Sequence, residues 1–419
     1  MLTIPVGPET RRLRFLFDIK SGATPSSGVE EYWDGDINWV TPEDLGKLSD
    51  RYVRETRRRI TEEGYKNCGV GLASAGSIVL SKRAPIGQTA ILAVPSTCNQ
   101  GCFLLTKLDG VDERFYFYSL IHLRPALEAL GRGSTFMELS ADDLRSILLP
   151  FPSEERQHLI ANYLDRETAR IDGLIAEKER MLALLEEKRA ALISRVVTRG
   201  LDPNAPLKPS GQEWLGEIPA HWPMTKFSWD VFVSEGQVDP EDDRFSEMIL
   251  VAPNHIESRT GQITHTETSA DQGAISGKYL CKQGDVLYSK IRPALRKVAL
   301  AEEDCLCSAD MYALRPSERL VPEYLQYFLL SEEFSTWAEL ESARVAMPKI
   351  NRETLNAIRI PIPPLEEQEH IVSEIMNETK KIDLQRKAIR VSAGLLKERR
   401  AALITAVVTG ALPVEDISL

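Results

Sequence analysis

Shifting the chain against itself by 211 positions, with no gap, lays one long stretch over another. Pro150, Pro152, Glu155, Gln157 and Ile160 fall on Pro361, Pro363, Glu366, Gln368 and Ile371. Further along, Glu167, Thr168, Ile171 and Asp172 fall on Glu378, Thr379, Ile382 and Asp383. The match closes with Arg189-Ala190-Ala191-Leu192-Ile193 on Arg400-Ala401-Ala402-Leu403-Ile404 and Val196-Val197-Thr198 on Val407-Val408-Thr409. Spacing shared over that length does not arise by accident, and internal repetition constrains a fold more than local propensity does. The chain reads as two halves of about 210 residues built to one plan.

Each copy of the repeat predicts a long helix. Pro150 and Pro152 hold the chain extended, Ser153 suits an N-cap, and Glu154 and Glu155 suit the positive end of a helix dipole. Gly200 and Pro203 stop the first copy, and Gly410 and Pro413 stop the second. Roughly 47 residues at about 1.5 Å each make a rod about 70 Å long. Ile171, Ile175, Leu182, Leu185, Leu192 and Val196 form a heptad seam broken by Lys178 and Arg189. The second seam is Ile382, Arg386, Ile389, Ala393, Leu396, Arg400, Leu403 and Val407. An apolar stripe of this kind needs a partner, and each copy supplies one for the other. Arg189 and Arg400 break the two seams at the same place; they either fix the register or snorkel to water.

The text between the repeats divides the rest. Residues 1–148 read as one mixed α/β domain, with short apolar runs at 76–80 and 88–94 and a helix over 113–130. Residues 149–203 are the first long helix, and 204–358 hold a Pro-, Gly- and Trp-rich strap followed by a second α/β domain. Residues 359–419 are the second long helix and tail. Gly284-Asp-Val-Leu-Tyr-Ser-Lys290 before Pro293 echoes Gly76-Ser-Ile-Val-Leu-Ser-Lys82 before Pro85, and a helix over 323–340 repeats the first domain's helix. The frame is shared but the surface is not, because Asp36-Ile-Asn-Trp39 has no textual counterpart in Val251-Ala-Pro-Asn-His255.

Composition sets the class. A 43% apolar content over 419 residues is ample for ordinary cores. No run reaches the roughly 18 apolar residues of a membrane span, and the first residues lack the pattern of a signal peptide, so the expected compartment is the cytoplasm without membrane attachment. Six scattered cysteines fit a reducing interior better than a disulfide scaffold. The net charge of -11 argues at first against nucleic acid, but residues 205–358 alone hold 24 acidic against 15 basic residues. Local basic patches can still face a DNA groove on such a chain.

A variable α/β domain, a long helix ending in RAALI, the strap WLGEIPAHW, a second variable domain and a second such helix resemble the specificity subunits of type I restriction-modification systems. The resemblance covers essentially the whole chain, although residues 1–10 carry no copy of the strap. It implies an α+β fold: two similar α/β target recognition domains separated by two long antiparallel coiled-coil helices in a pseudo-twofold internal repeat. It further implies a non-catalytic subunit reading a bipartite, asymmetric double-stranded DNA target. Two methyltransferase subunits would dock on the conserved helices, and restriction subunits would join through them. No cofactor is expected on this chain; the partners would use S-adenosylmethionine, ATP and Mg. A different class remains open, a scaffold whose two domains bind other ligands and never touch DNA.

Arginine supplies phosphate contacts and bidentate guanine readout, so basic clusters are the candidate DNA-binding residues. In the first domain these are Arg51, Arg54, Arg57, Arg58 and Arg59, with Lys82 and Arg83 before Pro85. The run 51–59 also reads as the solvated face of a helix. Thr24, in the Thr-Pro loop that the resemblance places near DNA, joins them. The second domain offers Lys290, Arg292, Arg296 and Lys297, with Asn254, His255 and Arg259 as possible readers of base edges. Catalytic residues are expected to be none. Pro363-Pro364 is flanked by Ile362 and Leu365, which is no adenine-methylase box, and Gly273 to Tyr279 is one residue short of a phosphate loop and lacks its Ser or Thr. Metal ligands are also expected to be none, since Cys98 and Cys102 could join Cys305 and Cys307 only across domains.

Overall fold

The repeat folds as the helices its sequence predicts. A computed structural model describes residues 9–131, 137–343 and 348–412. The long helices span Glu154–Arg199 and Leu365–Val408. Gly200 ends the first in the left-handed region at φ 72°, where a side chain would also press on the Trp222 ring, and Gly410 ends the second at φ 71°. The further stop expected at Pro413 lies outside the described residues, as do residues 1–8 of the first domain. Among the described residues no helix is long and apolar enough to cross a membrane.

The chain divides into two compact units, residues 1–178 with 391–419, and residues 179–390. The division thus runs through both long helices. In the first unit a five-stranded sheet has the order Phe17–Ser21, Cys102–Lys107, Ile78–Ser81, Thr89–Leu92, Tyr52–Val53, with only the last pair parallel. A smaller sheet orders Arg59–Ile60, Trp33–Val40 and Ser96–Cys98. The helix Glu113–Leu130 starts on Asp112, whose carboxylate accepts from the Arg114 and Phe115 amides. Its face of Phe115, Tyr116, Leu120, Leu123 and Leu127 joins the sheet in one core with Ile160, Ala161 and Leu164 of the first long helix and Ile404, Val407 and Val408 of the second. In place of a strap, this shared core docks the first domain on its helices. The two helix segments run antiparallel there, with Arg400 Nε 2.8 Å from Asp172.

The second unit repeats the plan. Its main sheet orders Val231–Val233, Met311–Pro316, Val286–Ser289 and Val298–Leu300, all antiparallel. Val286–Ser289 and Ile78–Ser81 hold the same interior place, so the echoed text marks equivalent strands. The strap forms a hairpin of Leu207–Pro209 with Glu217–Pro219 and buries Leu215, Ile218 and Trp222 against Ile193, Val196 and Val197. Here too the helix segments are antiparallel, Arg386 pairing with Glu186 at 2.6 Å and Arg189 with Asp383.

Two expectations change. The helix predicted over 323–340 is two helices, Pro322–Leu330 and Glu332–Ser342. Ser331 turns extended and caps the second, accepting from the Phe334 amide, while the Ser194 hydroxyl accepts the Glu332 amide at 2.7 Å. The surface around Asp36–Trp39 does have a backbone counterpart. Trp33–Val40 lies parallel to Ser96–Cys98 as Leu250–Val251 lies parallel to Cys305–Cys307, with Val40 and Val251 opposite Cys98 and Cys307. What differs is the strand length and the side chains.

Both units also share one buried amide. Gln157 accepts the Asp112 amide at 2.9 Å and donates to the Gly110 and Pro152 carbonyls. Gln368, its repeat partner, accepts the Val321 amide at 2.8 Å and donates to the Arg319 and Pro363 carbonyls. Each glutamine ties the start of a long helix to the loop that launches the domain's own helix.

Candidate nucleic-acid interface

The basic run of the first domain is not a helix face. Tyr52–Val53 and Arg59–Ile60 are short strands joined by an open turn that carries Arg54, Arg57 and Arg58. Its backbone is fixed at several points: the Asn38 side chain donates to the Arg54 carbonyl at 3.0 Å, the Arg57 amide donates to Asp44 at 3.1 Å, and the Thr56 hydroxyl donates to the Arg58 carbonyl at 2.6 Å. A loop bonded at both ends holds its side chains in place without further cost on binding.

The five arginines are not equivalent. Arg51 is half-buried and bonded to Asp165 and to the Tyr118 hydroxyl, tying the domain to its long helix. Arg54 pairs with Asp50 at 2.7 Å, Arg57 with Glu43 at 3.2 Å and Arg59 with Glu55 at 3.6 Å. Such exposed pairs are worth little and open easily. Arg58 is exposed and, among the described residues, has no carboxylate partner; its guanidinium lies 3.6 Å from the centre of the Trp33 ring and 5.8 Å from that of Trp39.

The two tryptophans gather a second candidate. They meet edge to face at 5.0 Å, buried, and their indole N–H groups donate to the Ser26 and Ala23 carbonyls at 3.2 and 2.9 Å. Those bonds fix the loop on which Thr24 stands exposed, its hydroxyl donating to Gln100. Lys82 and Arg83 share Glu138, at 2.9 and 3.0 Å, and the Lys82 ammonium holds that carboxyl below the usual range. Lys82 is largely buried and Arg83 exposed.

The second domain separates its candidates more sharply. Arg296 is 7% exposed and holds Glu332 by two bonds of 2.5 and 2.7 Å. Lys297 donates to the Pro253 carbonyl at 2.5 Å. Lys290 lies 5.0 Å from the Tyr312 ring centre, and burial lowers its pKa. Asn254, Arg259 and Arg292 are exposed. Arg259, Arg292 and Arg296 all take left-handed backbone, φ 68°, 48° and 47°, and the Arg259 amide donates to the Arg296 carbonyl at 3.0 Å. Non-glycine residues there store strain that the surrounding structure must hold, and such residues cluster at ligand sites.

His255 is 2% exposed and presents no edge to a ligand. Its Nδ1 accepts the Ala252 amide at 3.2 Å, as Asp44 accepts the Thr41 amide at 2.9 Å in the first domain, so it serves as a cap. Burial, then His265, keeps it below the usual histidine range. His255, His265 and Glu267 form the one grouping of potential metal ligands among the described residues, their ligand atoms within 4.8 Å of one another. His255 Nδ1 also lies 3.1 Å from the Leu250 carbonyl, so backbone groups crowd that nitrogen on two sides. The six cysteines are free thiols; burial pushes Cys98 up to about 12, far from thiolate.

Sequence reasoning named the arginines but not Trp33, Trp39, Asn38 and Thr56, which position them. The available signal was two tryptophans in a polar strand beside a basic run.

A profile of the type I restriction modification DNA specificity domain matches residues 5–181 and 258–391. The EcoDI type I restriction enzyme specificity subunit of Escherichia coli is 33% identical over 260 residues, 58% of this chain and 58% of that one. The MjaIX specificity subunit of Methanocaldococcus jannaschii is 35% identical over 186 residues, 44% of this chain and 42% of that one. The chain thus spans about half the length of these relatives. A solved chain from a study of complex assembly and conformational transition of the type I R-M system superposes with a TM-score of 0.70 at 17% identity, over 98% of this chain and 100% of that chain, which is a likeness of fold. With the profile covering most of the chain in two blocks, one to each half of the repeat, the chain belongs to the type I restriction modification DNA specificity family.

Proposed function

We propose that this chain is the non-catalytic, DNA-reading subunit of a type I restriction-modification assembly. Each unit reads one half of an asymmetric double-stranded target, and the assembly methylates adenine or cleaves through other subunits. The observation that carries this reading is the repeat itself. Both units keep one frame, down to the buried glutamines and the Asp172–Arg400 and Asp383–Arg189 pairs, while their exposed loops differ. One frame with two surfaces is what a single chain needs to read two unlike half-sites. The family match supports it over a scaffold that never meets DNA.

In this proposal two methyltransferase subunits dock on the long helices, restriction subunits follow, and S-adenosylmethionine, ATP and Mg act on those partners. The work takes place in the cytoplasm. Contacts to DNA come from Thr24, Arg54, Arg57, Arg58, Arg59 and Arg83 in the first unit, and from Asn254, Arg259, Lys290 and Arg292 in the second. Arg51, Lys82, Arg296 and Lys297 act by holding those loops.

Mixing the chain with its methyltransferase partner and a randomised duplex pool tests the reading. The expected result is selection of a two-part sequence whose binding weakens steeply with salt. Absence of any sequence selection would refute it.

A further inference from the structure

Five arginines crowd the turn of the first unit, and four have their guanidinium groups committed to carboxylates: Arg51 to Asp165, Arg54 to Asp50, Arg57 to Glu43 and Arg59 to Glu55. Among the described residues Arg58 differs, being exposed, without a carboxylate and set over Trp33. A guanidinium resting on an aromatic face is held through its π surface, which leaves its N–H edge free. That edge is the fork that matches O6 and N7 of guanine in the major groove. A carboxylate partner would occupy the same edge.

The support beneath Arg58 is unusually complete. Trp33 and Trp39 are buried, each with its indole N–H bonded to a backbone carbonyl. The Arg58 carbonyl is fixed by Thr56, whose oxygen also accepts the Trp39 amide at 3.2 Å. The residue is therefore positioned from its backbone and from its guanidinium face together.

We infer that Arg58 is the base-reading arginine of the first unit, selecting a guanine in one half-site, with Trp33 and Trp39 as its positioning residues. This rests on the DNA-reading role proposed above. Arg57 and Arg54 then serve as phosphate contacts, trading a carboxylate for the DNA backbone.

The test is selection from a randomised duplex pool by the full chain with its methyltransferase partner, for wild type, Arg58→Lys, Arg58→Ala and Arg57→Ala. Arg58 is exposed, so its variants should fold, and Arg58→Lys keeps the charge while losing the fork. Both Arg58 variants should lose a G·C preference at one position of one half-site, by roughly ten- to hundredfold, with the other half-site unchanged. Arg57→Ala should keep the sequence preference and weaken binding to all duplexes alike. Trp33→Phe, which shrinks the platform, should relax the same position as Arg58→Lys. Unaltered preference in both Arg58 variants, or loss spread evenly over both half-sites, would overturn the assignment while the DNA-reading role stands. A wild-type chain that selects no sequence would overturn that role and the assignment with it.

Discussion

Arg189, 3% exposed, sets its guanidinium against the carboxylate of Asp383 within the second unit. The equivalent pair in the first unit, Arg400 with Asp172, is 31% and 50% exposed. Arg189 and Arg400, which interrupt the two seams at the same place, thus both form ion pairs, the first with a buried arginine and a partly exposed carboxylate, the second wet on both sides, and neither arginine simply faces solvent. Removing one member of a buried pair strands a charge and costs about 3–5 kcal/mol, whereas an exposed pair is worth about 0–1 kcal/mol. Asp383→Ala should therefore lower the denaturation midpoint far more than Asp172→Ala. Replacing Arg189 and Asp383 together by Leu should recover much of the loss, because Arg189 is then not left as an unpaired charge, while Arg386, which Asp383 also holds at 3.1 Å, keeps Glu186 at 2.6 Å. Urea titrations of the four proteins decide it, and equal losses from both single variants would contradict the burial argument.

The buried glutamines make a second prediction. Gln157→Ala leaves the Asp112 amide and two carbonyls without their partner, a cost of about 1–3 kcal/mol per stranded group. Gln368→Ala should cost a similar amount, since its three bonds are the same. Hydrogen exchange at Asp112 and Val321 should rise in the matching variant only.

Acid should weaken the second unit through Glu332. The two bonds from Arg296, with the nearby Arg259 charge, hold this carboxyl below its ordinary value of 4.5. A group whose pKa falls on folding adds stability above its unfolded value and loses it as the pH drops through the folded one. Glu332→Gln should therefore be less stable than wild type near neutrality, and the difference should shrink below about pH 4.5. A gap that stays constant across the acid range would mean that the carboxyl is not linked to folding.

Strain at Arg292 predicts opposite effects on stability and binding. Its φ of 48° costs an ordinary residue about 1–2 kcal/mol and costs glycine little, though glycine also gives the unfolded chain more freedom. Arg292→Gly should gain roughly 0.5–1 kcal/mol in folding. The same change should reduce the salt slope of DNA binding by about one phosphate contact. Thermal melts and salt titrations of one preparation give both numbers, and a variant that is both less stable and equally tight in binding would refute the reading.

The parts of this fold that local chemistry decides were legible in the sequence. The helix over 113–130, the glycine stops at Gly200 and Gly410 and the seam through Ile171 and Ile382 follow from periodicity and φ preference alone. The break at Ser331 was not, because Ser194, distant in sequence, supplies the acceptor that makes a second helix start there. Nor was the inequality of the arginines. Glu43, Asp50 and Glu55 stand close to them in sequence, but which arginine each carboxylate takes depends on how the turn closes over Trp33 and Asn38. Arg58 becomes distinct only once that closure is known.

The atoms held by Gln157 and Gln368 on the domain side are all main-chain: the amide of Asp112 or Val321 and the carbonyl of Gly110 or Arg319. A socket that grips only backbone is indifferent to the side chains presented to it. Glycine and arginine, or aspartate and valine, occupy corresponding places without disturbing the attachment. At these two anchor points a domain can therefore change its text while the glutamine that holds it stays as it is. The packed side chains of the shared core and the Arg51–Asp165 pair carry no such freedom, so change at the junction is cheap only where the contact is main-chain.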